Sequence, residues 1–387
     1  MRRHVVVIGA GAAGTMVAHR LRRRLDPAGW AVTVIDRDDQ HAYRPGFPLV
    51  ALGTWPPSAV VRSRHAFLPD GVDLVLAEAR QVDADASVVL LADGRRIAYD
   101  HLVIATGAAP RPDLVPGMTG PHWHRSVFDV HSLDGATALR DALPALRQGR
   151  LLVHLAELPV PAPFTALELT LLADAWLRRR GLRDGVELVH ASPLPEPSAG
   201  AGGLLGRHGV AVEAGFRVER IDGDHQALVG QDGRELSFDL LVTVPPHRGA
   251  GLVTRSGLGD ELGYLPVDRH TLQSTAFPTV YGVGDATDLP TQRTTRAAWL
   301  TARVVGRTLP DHATGRAPSA SLDRRSRGLP LGPSDDGLTA ALDRLTGTRS
   351  RAAARWLYWH VALQGRPLPL PVHAAAVPTG LRRHAPA

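Results

Sequence analysis

"HVVVIGAGAAGTMVAHRLRRRL", residues 4–25, decides the fold. Val5, Val6, Val7 and Ile8 make a β-branched run bounded by glycine, the pattern of a strand buried on both faces of a parallel sheet. Gly9, Gly11 and Gly14 follow as a complete G-x-G-x-x-G. In such a loop the first glycine permits the tight turn and the second lets the backbone approach a pyrophosphate. The third lets the helix pack closely on the strand. Apolar spacing predicts a helix from Ala12 to Leu25, opened by Ala12 and Ala13, with free N–H groups and a positive dipole end facing the phosphates. A second strand, Ala31 to Ile35, closes on Asp36, about 20 residues past the last glycine, where a carboxylate accepts hydrogen bonds from a ribose. These residues read as a dinucleotide-binding βαβ unit.

The chain has 387 residues, more than one ordinary core holds, so two domains and an appendage are expected. At 44% hydrophobic and 21% charged, the composition is globular. The formal charge is +6, and all 44 basic residues are arginine. Arg22–Arg24 and Arg178–Arg180 read as solvated helix faces. No aromatic-interleaved basic motif accompanies them, which argues against nucleic-acid binding. Cysteine is absent, which excludes disulfides, cysteine-ligated metals and thiol chemistry on this chain. After Arg2 and Arg3 the apolar run stops at Ile8, so it reads as a strand and not as a signal peptide. No stretch of about 18 apolar residues is present. A cytoplasmic protein, at most peripheral to the inner face of the membrane, is expected.

Two further stretches narrow the cofactor. "RRIAYDHLVIATGAAPRP" (95–112) ends a strand in Ala105-Thr106-Gly107, and "TVYGVGDATDLPTQRTTRAAWLTARVVG" (279–306) runs from a strand through Gly284-Asp285 into a helix. Both resemble the FAD-binding elements of the flavoproteins with two dinucleotide-binding domains. The resemblance implies that Ala105, Thr106 and Gly107 lie against FAD. It implies that Asp285, beside Gly284, bonds the ribityl chain and that the helix after it points its N-terminus at the flavin pyrimidine. Thr294 and Thr295 open that helix and cap it. Arg37, Pro45 and Ala79 join Gly9, Gly11, Ala12, Ala13, Gly14 and Asp36 in the implied FAD site.

"HAYRPGFPLVALG" (41–53), "DLLVTVPPHRGAGLV" (239–253) and the middle of the chain make it similar to the sulfide:quinone oxidoreductases, over roughly Arg2 to Leu309. Flavocytochrome c sulfide dehydrogenases and type II NADH dehydrogenases are wider relatives. That family works through paired redox cysteines. Here the equivalent stretch is Leu158-Pro159-Val160-Pro161-Ala162-Pro163, without a thiol. Sulfide attack on a disulfide is therefore excluded within this chain. After Leu151–Leu155 the chain reads Ala156-Glu157-Leu158-Pro159 and not G-x-G. A tightly bound nicotinamide nucleotide is not expected at this second, degenerate site.

The implied fold is α/β: two Rossmann-like, doubly wound three-layer domains, the first FAD-binding and discontinuous. Its two parts are 1–112 and 270–309, around a second domain at 113–269. Residues 310–387 form a linker and a C-terminal segment, rich in Trp and Arg between Arg349 and Pro371. Residues Ala352, Trp356, Trp359 and Leu363 share a helical face there. That face either docks on the body or a partner subunit, or touches a membrane surface.

Catalytic candidates are His41, Tyr43, His122 and His124. By resemblance Tyr43, Pro45 and Gly46 lie near the flavin, and His122 and His124 fall where the family carries a cysteine. No metal site is expected, because no carboxylate or third histidine stands at ligand spacing. The leading reading is an FAD-dependent oxidoreductase of a small organic substrate, diverged from the sulfide:quinone oxidoreductases. The alternatives are a quinone reductase with a non-sulfide donor and a non-catalytic flavin-binding or scaffold subunit. The oligomeric state is left open.

Overall fold

The Val5–Ile8 run forms the centre of a sheet, with Val5, Val6 and Val7 fully buried. The computed structural model describes residues 2–158, 165–194, 201–290 and 293–322, with Arg355, Tyr358, Trp359, Leu363 and Gln364. Along the chain come β1 (Arg3–Ile8), α1 (Ala12–Arg24), β2 (Trp30–Asp36), β3 (Asp73–Leu76) and β4 (His101–Ile104). Next are β5 (Ala108–Pro110), β6 (Val127–Asp129), α2 (Leu133–Ala142), β7 (Gly149–Leu155) and α3 (Thr165–Arg179). Then follow β8 (Val186–Ala191), β9 (Ala211–Glu213), β10 (Leu240–Val244), β11 (His247–Gly249), β12 (Val280–Gly282) and α4 (Thr295–Ala313).

Two five-stranded parallel sheets result. The first has the order β12-β4-β1-β2-β3 and the second β6-β10-β7-β8-β9. In the first, Val5 pairs with Val32 and Ile8 with Ile35, so the ends of β1 and β2 are level and Gly9 stands beside Asp36. Strand β12 returns from far along the chain to pair with β4, so this sheet is assembled from two separated segments. An antiparallel ladder links the two halves: Ala108 in β5 opposes Gly249 in β11, and Pro110 opposes His247. Functional groups collect at the carboxyl ends of the strands, as parallel α/β sheets favour.

Helix α4 starts where the sequence places a cap. The Thr294 hydroxyl accepts from Ala297 N at 3.2 Å, and Ala297, Ala298, Ala302, Val305 and Leu309 are buried. The helix runs on through Pro310 to Ala313. The Thr314 hydroxyl donates to the Pro310 carbonyl at 2.9 Å, which occupies one of the carbonyls the helix end leaves open. Of the C-terminal segment 349–371, Tyr358 and Trp359 are buried, and Trp359 stacks on Phe67 at 4.8 Å between ring centroids. Trp359 is therefore a core residue. Ala352, Trp356, the stretch 159–163 and residues 323–336 lie outside the described residues. Among the described residues no helix is long and apolar enough to cross a membrane.

Candidate functional site

The three glycines of the opening loop divide the work. Gly9 has φ +104°, and a Cβ there would strike the Ala105 carbonyl oxygen. A Cβ on Gly14 would strike the Gly9 carbonyl oxygen. Among the described residues nothing lies within 4 Å of the place a Cβ on Gly11 would take. Two glycines thus serve packing, and the middle one faces open space, as close approach of a pyrophosphate requires. Helix α1 has no side-chain cap and no acid in its first turn, so its first N–H groups are left to a ligand.

Asp36 accepts from Ala10 N at 2.6 Å and Arg37 N at 2.8 Å and pairs with Arg64 at 3.2 Å. A carboxylate has about four acceptor positions, so capacity remains beside the loop. Arg37 itself is exposed and pairs with Asp38 at 3.4 Å. Nothing in the sequence around Arg64 singles it out. Its side chain is 11% exposed, and it donates to the Ala10 carbonyl at 2.9 Å and the Asp38 carbonyl at 2.7 Å.

The Ala105–Gly107 turn follows β4. Gly107 has φ +69° and, among the described residues, no neighbour where a Cβ would stand and no hydrogen-bond partner for the buried Thr106 hydroxyl. Gly284 has φ +62°, and its Cβ would lie 2.9 Å from that of Ala13, which brings the Gly284-Asp285 turn against the start of α1. The Gly284 N–H donates to Thr301 in α4 at 2.9 Å. Burial pushes the Asp285 carboxyl up, against the pull of Arg293 and Arg44. Arg293 donates to the Asp285 carbonyl at 2.8 Å and lies 3.8 Å over the Tyr264 ring. Thr294 caps α4 and Thr295 begins it. Pro45 is exposed in the turn before Phe47, and Ala79 is half-buried at the start of the strand Ala79–Asp83.

His41 is 1% exposed. Its Nδ1 lies 3.0 Å from the Ala10 carbonyl, which only accepts, so Nδ1 carries the proton. Its Nε2 then accepts from the Tyr358 hydroxyl at 2.7 Å. Burial, reinforced by Arg64, lowers its pKa to about 4. Tyr43 is buried against Tyr358, centroids 4.7 Å apart, and burial pushes its hydroxyl up. His41 and Tyr43 thus stand together, tying the glycine loop to the C-terminal segment. His122 pairs with the exposed Asp224 at 2.9 Å, and His124 with the buried Asp129 at 3.3 Å. Among the described residues no hydrogen bond or ion pair joins His122 or His124 to the glycine loop or the Gly284-Asp285 turn.

Two other histidines, not singled out in the sequence, come together. His131 follows β6 and His247 follows β10, and their rings meet edge to face at 4.7 Å. Each has a buried Nε2 without a hydrogen-bond partner among the described residues. Burial holds both neutral, with pKa values lowered to about 4 and about 3. Among the described residues no three histidine, aspartate or glutamate side chains come together as a metal site needs.

A glycine-built dinucleotide-binding loop on one parallel sheet, joined by a ladder to a second parallel sheet, defines a two-domain nucleotide-binding α/β fold. The family described as pyridine nucleotide-disulphide oxidoreductase matches residues 3–304. The chain is 24% identical to the mitochondrial sulfide:quinone oxidoreductase of Mus musculus over 317 residues, covering 79% of this chain and 70% of that protein. It is 26% identical to the Dictyostelium discoideum protein of the same name over 347 residues, covering 87% and 74%. The crystal structure of the sulfide:quinone oxidoreductase from Aquifex aeolicus superposes with a TM-score of 0.70 at 22% identity, covering 81% of this chain and 77% of that one. The chain belongs to the pyridine nucleotide-disulphide oxidoreductase family. It is an FAD-dependent oxidoreductase related to the sulfide:quinone oxidoreductases, and it contains no cysteine.

Proposed function

We propose that this oxidoreductase acts on a small organic substrate and has left cysteine redox chemistry behind. The observation that carries the reading is the pairing of an intact cofactor cradle with a chain of 387 residues and no thiol. The residues fit FAD. Gly11 and the open end of α1 would take the pyrophosphate, and Ala12 and Ala13 begin the helix that supplies the N–H groups. Asp36, Arg37 and Ala79 would flank the adenosine end. Pro45, Ala105, Thr106, Gly107, Gly284, Asp285, Thr294 and Thr295 would line the flavin end. The unpartnered Thr106 hydroxyl and the raised Asp285 carboxyl are groups a polar cofactor satisfies. When bound, the flavin supplies a two-electron acceptor. The protein's own tasks are to hold the substrate, exclude water and move protons.

The end of β7 supports a reading without a second nucleotide site: the chain reads Ala156-Glu157-Leu158-Pro159 there, and no glycine opens the backbone to a pyrophosphate. Similarity to proteins named sulfide:quinone oxidoreductases supports a second reading, with a quinone as electron acceptor.

The test is the visible spectrum of the purified protein, followed by anaerobic reduction with small organic donors, NADH, NADPH, sulfide and quinols. One FAD per chain reduced by an organic donor is the expected result. Anaerobic reoxidation of the reduced flavin by a short-chain quinone would favour the second reading. A protein that refuses added FAD would leave a scaffold role and overturn both.

A further inference from the structure

The carbonyl of Ala10, between the first two glycines of the loop, is buried and held by three donors. It accepts from His41 Nδ1 at 3.0 Å, Arg64 Nη1 at 2.9 Å and the Thr15 hydroxyl at 3.2 Å. The Ala10 N–H donates to the Asp36 carboxylate at 2.6 Å. A peptide unit is planar and trans, so the Gly11 N–H points opposite to the Ala10 carbonyl. That N–H donates to no group among the described residues, and Gly11 faces open space among them. Holding the carbonyl inward therefore turns a free donor outward, where an anion can meet it. His41 takes its own orientation from the C-terminal segment. Its Nε2 accepts from the Tyr358 hydroxyl at 2.7 Å, which keeps the proton on Nδ1. Tyr358 packs on Tyr43 with centroids 4.7 Å apart, Trp359 stands edge-on to His41 at 5.4 Å, and Arg355 lies 4.4 Å over the Trp55 ring.

We infer that Tyr358, acting through His41, sets the Ala10–Gly11 peptide in the orientation that grips the cofactor pyrophosphate, so that docking of the Tyr358–Trp359 pair and retention of FAD are coupled. The inference rests on the FAD reading above. Both nitrogens of His41 are committed, so it is a positioning residue and not a proton donor to substrate. The coupling has a physical carrier. An anion that accepts from the Gly11 N–H polarises the same peptide and makes the Ala10 carbonyl a stronger acceptor for His41. His41 in turn holds Tyr358. Without the Tyr358 hydroxyl, Nε2 is a buried acceptor left unmet and the ring loses what fixes its tautomer. Ala10 then relies on Arg64 and Thr15 alone. Coupling of this kind is reciprocal: what docking adds to FAD affinity, FAD returns to docking.

The test uses FAD-loaded full-length protein and reads the rate of FAD release from the fluorescence of the freed flavin. Tyr358→Phe keeps the ring against Tyr43 and removes only the hydroxyl. It should release FAD about tenfold faster, the scale of one unmet buried acceptor. His41→Asn keeps an amide donor within reach of Ala10 and should hold FAD longer than His41→Phe, which keeps none. In the His41→Phe background, Tyr358→Phe should add nothing further. The reciprocal measurement is trypsin cleavage after Arg355, followed by mass spectrometry. FAD should slow it about tenfold more in the wild type than in Tyr358→Phe, the same factor by reciprocity. If His41→Phe fails to fold, Tyr358→Phe and the cleavage measurement decide alone. A Tyr358→Phe protein with a lower apo unfolding midpoint but wild-type FAD release would show a merely structural contact and overturn the inference. Unchanged release and unchanged protection would overturn it too, and both results leave the oxidoreductase reading standing. A wild-type protein that binds no FAD sinks that reading first.

Discussion

Gly11 and Gly14 lie three positions apart and answer to different forces. A methyl on Gly14 meets the Gly9 carbonyl, so Gly14→Ala should lower the unfolding midpoint of the protein even without cofactor. A side chain on Gly11 enters open space. Gly11→Val should therefore leave the apo-protein's unfolding midpoint nearly unchanged while reducing FAD occupancy several-fold, measured as the ratio of flavin to protein absorbance. Loss of both properties together would mean that Gly11 serves packing after all. Asp285→Ala should likewise lower occupancy, and full occupancy would refute the ribityl role. Residues of this kind are legible in sequence because their work is local: a glycine fingerprint and an acid at the end of the next strand. Arg64 is not legible. It reaches Asp36 only because Gln40–Ala42 pairs with Val61–Ser63, and nothing in its own neighbours sets it apart. His131 and His247 are separated by 116 positions (247 minus 131) and meet because β6 and β10 are neighbours out of chain order. His122 and His124 drew notice through their spacing, which carries no information about the acids that pair with them.

At the scale of elements, helix ends and buried aromatics are the sensitive points. Thr294→Ala removes the cap of α4, and a loss of about 1 kcal/mol in unfolding free energy should follow, with FAD retained in part because the helix itself persists. Trp359→Ala should cost about 3–5 kcal/mol, measured by chemical denaturation, because the indole packs between Phe67, His41 and Tyr43. A change under about 1 kcal/mol would show that the C-terminal segment docks too loosely to matter. The strands and first helix were readable from periodicity and glycines. The end of α4 was not. Proline normally stops a helix, but at the last turn it forfeits only one hydrogen bond, and Leu309 and Pro310 are buried there. Tertiary packing outweighs the local signal.

For the whole molecule, acid is the weak side. Burial above all lowers the pKa of His41, His101, His131 and His190 to about 4, and of His154 and His247 to about 3. In the unfolded chain each titrates near 6.5. Between about pH 6.5 and 4 the unfolded state binds protons that the folded state refuses, so stability falls as the pH falls and is fully present above that window. Each site contributes up to about 1.4 kcal/mol per pH unit. The unfolding midpoint, measured at fixed saturating FAD, should drop steeply from pH 6.5 to 5, and a flat profile would refute the burial of these imidazoles. The split sheet has a consequence for synthesis on the ribosome. Strand β4 ends at residue 104 and its neighbour β12 begins at 280, a delay of 176 residues (280 minus 104). At about 5–20 residues per second, the first half of the sheet waits roughly 10–35 s with the flank of β4 unpaired, while the second sheet can close on its own. If Asp285 holds the ribityl chain as proposed, the cofactor site is complete only once translation has passed it, and until then the flank of β4 is an open sheet edge.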